Sequence, residues 1–126
     1  MKRLGILATT LSLVAGAATV AGASGFHFAL ERSVPEADAS VSSVREIRLW
    51  FTQVPQENSA SVRLIDAAGE AVETGELTSD AADGKIVFVA LQAPLPSGGY
   101  TVAWRGIGDD GHVVRGDFAF TVAVQR

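Results

Sequence analysis

From residue 26 onward the apolar residues recur at every second position, and turn-forming residues interrupt them at roughly 8–12-residue spacing. The clearest stretch is Arg45 to Thr52. Ile47, Leu49 and Phe51 fall on one side of it, and Arg48, Trp50 and Thr52 on the other. A helix repeats every 3.6 residues, so this pattern is that of a half-buried strand. Tyr100 to Ile107 repeats it, with Tyr100, Val102 and Trp104 set against Thr101, Ala103 and Arg105. In a last strand Phe118, Phe120, Val122 and Val124 alternate with Asp117, Ala119, Thr121 and Ala123, running almost to Arg126. Ser61 to Asp66 is a further strand.

The segments between these are shorter and less regular. Phe28-Ala29-Leu30 opens a first strand that Pro35 ends or confines to a sheet edge. Glu36 to Ser43 is polar and small, a loop, and Val54 to Asn58 is a turn. Val72 and Leu77 can anchor two short strands before the Asp83-Gly84 turn. Lys85 to Leu91 is a continuous apolar run, suited to a strand buried on both faces. Tyr100, after Gly98-Gly99, reads as a corner residue whose hydroxyl bonds backbone, and Trp50 and Trp104 read as core or interface aromatics. About seven strands and no helix imply an all-β fold, an antiparallel β-sandwich or Greek-key β-barrel.

A chain of 126 residues, 48% apolar, can close one such core. Its first 23 residues read as something else. Met1-Lys2-Arg3 is basic, Leu4 to Val20 is uncharged and apolar or small, and Ala21-Gly22-Ala23 fits a small-x-small cleavage rule. Residues 1–23 are therefore expected to be a cleaved Sec-type signal peptide, and residues 24–126 the exported domain. Cleavage takes 10 basic residues to 8 against 14 acidic ones, a net charge of −6. No basic run is present, which excludes nucleic acid as an expected partner, and no later stretch is long and apolar enough to span a bilayer. The lack of Cys excludes disulfides and thiolate metal sites.

Few residues offer chemistry. There is no Gly-x-Ser-x-Gly elbow, no phosphate-binding glycine loop and no His-Glu-x-x-His, so the chain does not read as an enzyme. The protein has two histidines, His27 and His112. If residues 110–112 are extended, Asp110 and His112 point to one side and present an oxygen and an imidazole to one point. That pair suits a borderline divalent ion, with Cu(II) favoured by affinity order. A third ligand must come from elsewhere, and His27 is the only other histidine. On spacing alone, Asp110-Gly111 reads more readily as a plain turn with an exposed histidine behind it. His27, between Phe26 and Phe28, reads more readily on composition alone as a partly buried residue at a strand start.

Four segments bear on these alternatives. His27-Phe-Ala-Leu30-Glu-Arg-Ser33-Val-Pro35 resembles the amino-terminal His-x-x-Leu-x-x-Ser-x-Pro of the CopC copper-resistance proteins. Arg48-Leu49-Trp50-Phe51-Thr52 resembles that family's second strand. Leu95-Pro-Ser-Gly98-Gly99-Tyr100-Thr-Val102-Ala-Trp104-Arg105 is similar to its Leu-x-x-Gly-x-Tyr-x-Val-x-Trp-Arg strand. Asp110-Gly111-His112-Val-Val-Arg-Gly116-Asp-Phe118-Ala-Phe120 is similar to its Asp-Gly-His-x-x-x-Gly-x-Phe-x-Phe signature.

The resemblance implies an immunoglobulin-like Greek-key β-barrel in the periplasm. It also implies a Cu(II) site made by His27, Asp110 and His112, the first histidine adding its free α-amine. The implied role is to buffer copper or deliver it, often to a CopD-type importer of the inner membrane, with the chain expected to be a monomer. Two departures stand out. Cleavage after Ala23 leaves Ser24-Gly25-Phe26 ahead of His27, which removes the α-amine from that residue. Cleavage after Ser24 instead makes histidine the third residue, where an amine, two amides and an imidazole can wrap a Cu(II) ion. The second departure is that Met1 is the only methionine and leaves with the signal, so a methionine-rich Cu(I) site is excluded. The alternative from another class is a CopC-like interaction module with weak or no copper binding, its surface formed by edge strands and Trp50.

Overall fold

Strands that are apolar on one side only must close that side on another layer, and here two sheets close on each other. The computed structural model describes residues 27–125. The expected signal peptide, residues 1–23, and the Ser24-Gly25-Phe26 step lie outside the described residues. In chain order the strands are β1 (Leu30–Val34), β2 (Ser40–Val41), β3 (Glu46–Phe51), β4 (Ser61–Asp66) and β5 (Ala71–Val72), then β6 (Thr78–Ser79), β7 (Ile86–Ala90), β8 (Gly98–Ile107) and β9 (Val113–Val122). One sheet has the order β1-β3-β7-β6 and the other β2-β9-β8-β4-β5. Among the described residues there is no helix, hence none long and apolar enough to cross a membrane.

The expected alternation places the core. Ile47, Leu49 and Phe51 of β3 and Val87 and Val89 of β7 point inward from one sheet. Leu64, Tyr100, Val102, Trp104, Phe120 and Val122 meet them from the other. Tyr100 is the expected corner residue: its hydroxyl donates to Pro96 O at 2.7 Å, and its ring stacks on Phe120 at 5.7 Å.

Three expectations are corrected. The polar stretch Glu36 to Ser43 contains β2, which pairs with β9 in parallel, Ser40 with Thr121 and Val41 with Val122. The second sheet is therefore mixed, because free backbone groups along β9 recruit a segment whose side chains carry no strand signal. The run Lys85 to Leu91 is buried on one face only. Ile86 and Phe88 are half-buried, and the Arg48 guanidinium lies 4.5 Å from the Phe88 ring centre, covering an apolar face without a second layer. The last strand starts at Val113 and ends at Val122, leaving Val124 exposed. The register also gathers Arg63, Arg105 and Arg115 onto one outer sheet face, although no basic run exists in the sequence.

The β8–β9 pair carries the site. It runs in unbroken antiparallel register from Gly98 opposite Val122 to Ile107 opposite Val113. Residues 108–112 close its far end.

Candidate metal centre

The closing loop is a turn. Gly111 takes φ +79°, which a side chain at that position would strain, and its N–H donates to Gly108 O at 3.1 Å. The chain thus folds back, and Asp110 reaches His112 twice. Asp110 Oδ1 accepts the His112 backbone N–H at 3.0 Å, and Oδ2 lies 3.0 Å from His112 Nδ1. The backbone at Asp110-Gly111-His112 is a turn and not the extended run on which the sequence reading of this pair was conditioned. The two residues meet through a side-chain-to-backbone turn that the αL glycine makes possible.

This geometry sets the electrostatics. The His112 N–H holds the Asp110 carboxyl below its usual range, chiefly through the backbone bond and next through the ring contact, with burial opposing and a smaller pull from His27. With Nδ1 turned to a carboxylate, Nε2 is the nitrogen left to bind an ion, an arrangement in which the carboxylate orients the ring. The His112 side chain is 82% exposed and that of Asp110 41%, so solvent reaches both.

The loop is held from the side by the β3–β4 connection, whose role no sequence signal announced. Gln53 Oε1 accepts the Asp109 N–H at 3.0 Å, and Gln56 Nε2 donates to Gly108 O at 2.9 Å. Ser59, buried, accepts the Ile107 N–H at 3.1 Å through its hydroxyl, which itself donates to Gln56 O at 2.7 Å. In the sequence these residues are simply polar positions in and beside a turn.

His27 comes to the same end by a different route. Its carbonyl accepts the Thr52 hydroxyl at 2.7 Å, and that hydroxyl accepts the Ala29 N–H at 3.0 Å. The next residue, Phe28, is 3% exposed, with its ring 4.6 Å from Phe51 and 6.5 Å from Trp104. It lies directly against the end of β8: a Cβ on Gly106 would come within 2.6 Å of the Phe28 ring, and one on Gly108 within 2.7 Å of its Cβ. His27 is exposed beside this packed residue, at the end of the sandwich that the 108–112 loop closes. The structure therefore joins Asp110 and His112 directly and puts His27 at the same end of the sandwich without a contact to either. Among the described residues no three His, Asp or Glu side chains stand close enough together to hold an ion as they are. Asp109 is exposed and joined to Gln53 by its backbone.

Comparisons with known proteins bear on the family and the fold. Residues 30–123 match the family model described as the CopC domain. The chain belongs to the CopC domain family. Copper resistance protein C of Xanthomonas campestris pv. juglandis is 34% identical over 122 residues, covering 92% of this chain and 94% of that protein. Two solved structures share the CopC sandwich. PcoC, a methionine-rich copper resistance protein from Escherichia coli, aligns with a TM-score of 0.69 at 29% identity over 77% of this chain and 99% of that one. CopC from Methylosinus trichosporium OB3b aligns with a TM-score of 0.72 at 26% identity over 79% and 97%. This CopC domain differs in composition from a methionine-rich relative, since its one methionine is Met1. Its donor set at the hairpin end is imidazole and carboxylate, which fits a borderline divalent ion and lacks soft ligands for Cu(I).

Proposed function

We propose that the exported protein is a periplasmic, non-enzymatic Cu(II)-binding protein of copper resistance that buffers the ion or delivers it to a CopD-type membrane importer. His112 Nε2 and His27 supply nitrogen, and Asp110 supplies an oxygen or holds the His112 ring in place. The observation that carries this reading is the Asp110 carboxylate on Nδ1 of His112, at 3.0 Å, at the same end of the sandwich as His27. The family match and the copper-resistance names of the relatives support the choice of metal.

Residues 1–23 act as the export signal in this reading, and the intact mass of the exported protein decides what precedes His27. Copper titration of that protein, followed by electron paramagnetic resonance, is expected to give one Cu(II) per chain with nitrogen couplings. His112→Ala is expected to lower affinity at least about tenfold. Copper binding that is equal in this variant and in the wild type overturns the site. Affinity is expected to fall as acid protonates the imidazole nitrogens that the ion needs.

A second reading, an interaction module with weak or no copper binding, finds support in one feature. Its surface is not Trp50, which is half-buried with the Arg32 guanidinium 4.5 Å from its ring centre. It is the arginine face of the five-stranded sheet.

A further inference from the structure

Arg63 on β4, Arg105 on β8 and Arg115 on β9 are all exposed on the outer side of that sheet, where Val102 and Trp104 take the inner side of β8. The register places Ser61, Arg105 and Arg115 in one cross-strand row and Arg63, Ala103 and Asp117 in the next. Arg105 and Arg115 are thus directly opposite each other, a placement of like charges that weakens a sheet. Among the described residues the ion pairs are those of Arg48 with Glu46 and Asp80 and of His112 with Asp110, and none of the three face arginines takes part. The arginines, with Ser61, Ala103 and Asp117, line a shallow basin of ≈ 380 Å³. In a chain of net charge −4, this is a concentrated positive face with a destabilising internal contact, and its one acid, Asp117, forms no ion pair with the three arginines among the described residues.

We propose that this face docks a carboxylate-rich segment of a partner protein, with Arg105, Arg115 and Arg63 each taking a carboxylate. A guanidinium presents a planar fork that matches a carboxylate with two parallel hydrogen bonds, and a partner's acid removes the Arg105–Arg115 repulsion. The basin accommodates a few side chains. Asp117 at its edge and the acidic remainder of the chain oppose a long polyanion such as a nucleic acid. The face lies just behind the hairpin end, since Arg105 precedes Gly108 by three residues and Arg115 follows His112 by three. A docked partner therefore sits next to the loop. The docking itself does not depend on what that loop binds.

The test uses the exported protein without metal and a hexaglutamate peptide at about 10 mM salt, where charges act over about 30 Å. NMR is expected to show peptide-dependent shifts at the side-chain N–H groups of Arg63, Arg105 and Arg115 and at the amides of Ser61 and Ala103. The double variant Arg105→Gln/Arg115→Gln is expected to bind the peptide at least about tenfold more weakly. It is also expected to melt at or above the wild-type temperature, because it removes a like-charge pair. The proposal is overturned by wild-type protein that ignores the peptide, or by a double variant that binds it undiminished. A double variant that melts clearly below wild type also overturns it, since the arginines then serve the fold. So does displacement of the peptide by inorganic phosphate at equal charge, or preferential binding of a double-stranded oligonucleotide, since the face then takes simple anions or a polyanion.

Discussion

Asp110 and His112 are held together by their own turn, whereas His27 is held at that end of the sandwich by the residue behind it and the strand beside it. The first arrangement is local. Its bonds span two residues, and the glycine between them takes the positive φ that lets the carboxylate reach back. The second is tertiary. His27 depends on Thr52, which is 25 residues away in sequence, and on the burial of Phe28 against Phe51 and Trp104. A metal that needs both halves thus reads two different kinds of order, one set by a hairpin closure and the other by the core. The difference implies that the halves can be damaged separately.

The largest effect is expected from Phe28→Ala. Emptying a fully buried aromatic site costs about 3–5 kcal/mol, which chemical denaturation measures directly. Because Phe28 packs under Gly106 and Gly108, the loss should also free His27. Copper affinity should fall while the Asp110–His112 contact, read from the shift of the His112 amide, stays in place. A variant in which that amide shift moves to an unstructured value breaks the comparison, because the loop would then rest on the same packing.

Gly108→Ala sharpens the same boundary from the other side. The added Cβ would lie 2.7 Å from Phe28 Cβ and 2.9 Å from Gln53 Oε1, so something must shift. Overpacking of this kind costs about 1–3 kcal/mol. Both halves of the centre meet at this point, and here alone a single methyl group is expected to disturb both, with changed amide shifts at Asp109, His112 and Ala29. Unchanged stability and unchanged shifts would break the comparison, because the two halves would then not meet at Gly108.

A smaller change, about 1–2 kcal/mol, is expected for Thr52→Val, which keeps the shape but leaves the Ala29 N–H without its acceptor and the His27 carbonyl without its donor. Hydrogen exchange at Ala29 should accelerate, and exchange at His112 should keep its wild-type rate. Faster exchange at both would join the two halves into one unit.

These contrasts also explain how far the sequence could be read. The inward residues of β3, β8 and β9 were legible because a sheet with one wet face imposes strict alternation, so Ile47, Leu49, Val102 and Phe120 declare themselves. β2 was not legible, because a two-residue strand is specified by the free backbone groups of β9 and by nothing in Ser40 and Val41. The partnership of Asp110 and His112 was legible from spacing, but the reason for it was not. Extended backbone and an αL turn both bring i and i+2 together, and only the φ of Gly111 distinguishes them. The supports Gln53, Gln56 and Ser59 were hidden, since a side chain that bonds a backbone about 50 residues away leaves no periodic trace. The arginine face was hidden for the same reason. Positions 63, 105 and 115 become neighbours only through register.

The smallest expected effect concerns the loop half alone and asks whether it is as local as it looks. The Asp110 carboxyl is held below its usual range, first by the His112 backbone N–H and only second by the His112 ring. Because its folded-state value lies below its unfolded one, its contribution to stability is complete above the ordinary carboxylate range and is lost as pH falls through the folded-state value. The side chain is open to solvent, so screening keeps that contribution small. Carbon-13 NMR of the Asp110 carboxyl in metal-free protein can follow the titration directly. The midpoint is expected below the ordinary value in the wild type, and in His112→Ala it should rise only part of the way, since the alanine keeps the backbone N–H that does most of the holding. A midpoint that returns to the ordinary value in this variant would place the control in the imidazole instead. The turn would then be organised by the Asp110–His112 side-chain pair, and the contact that orients the ring would also set the shape of the loop.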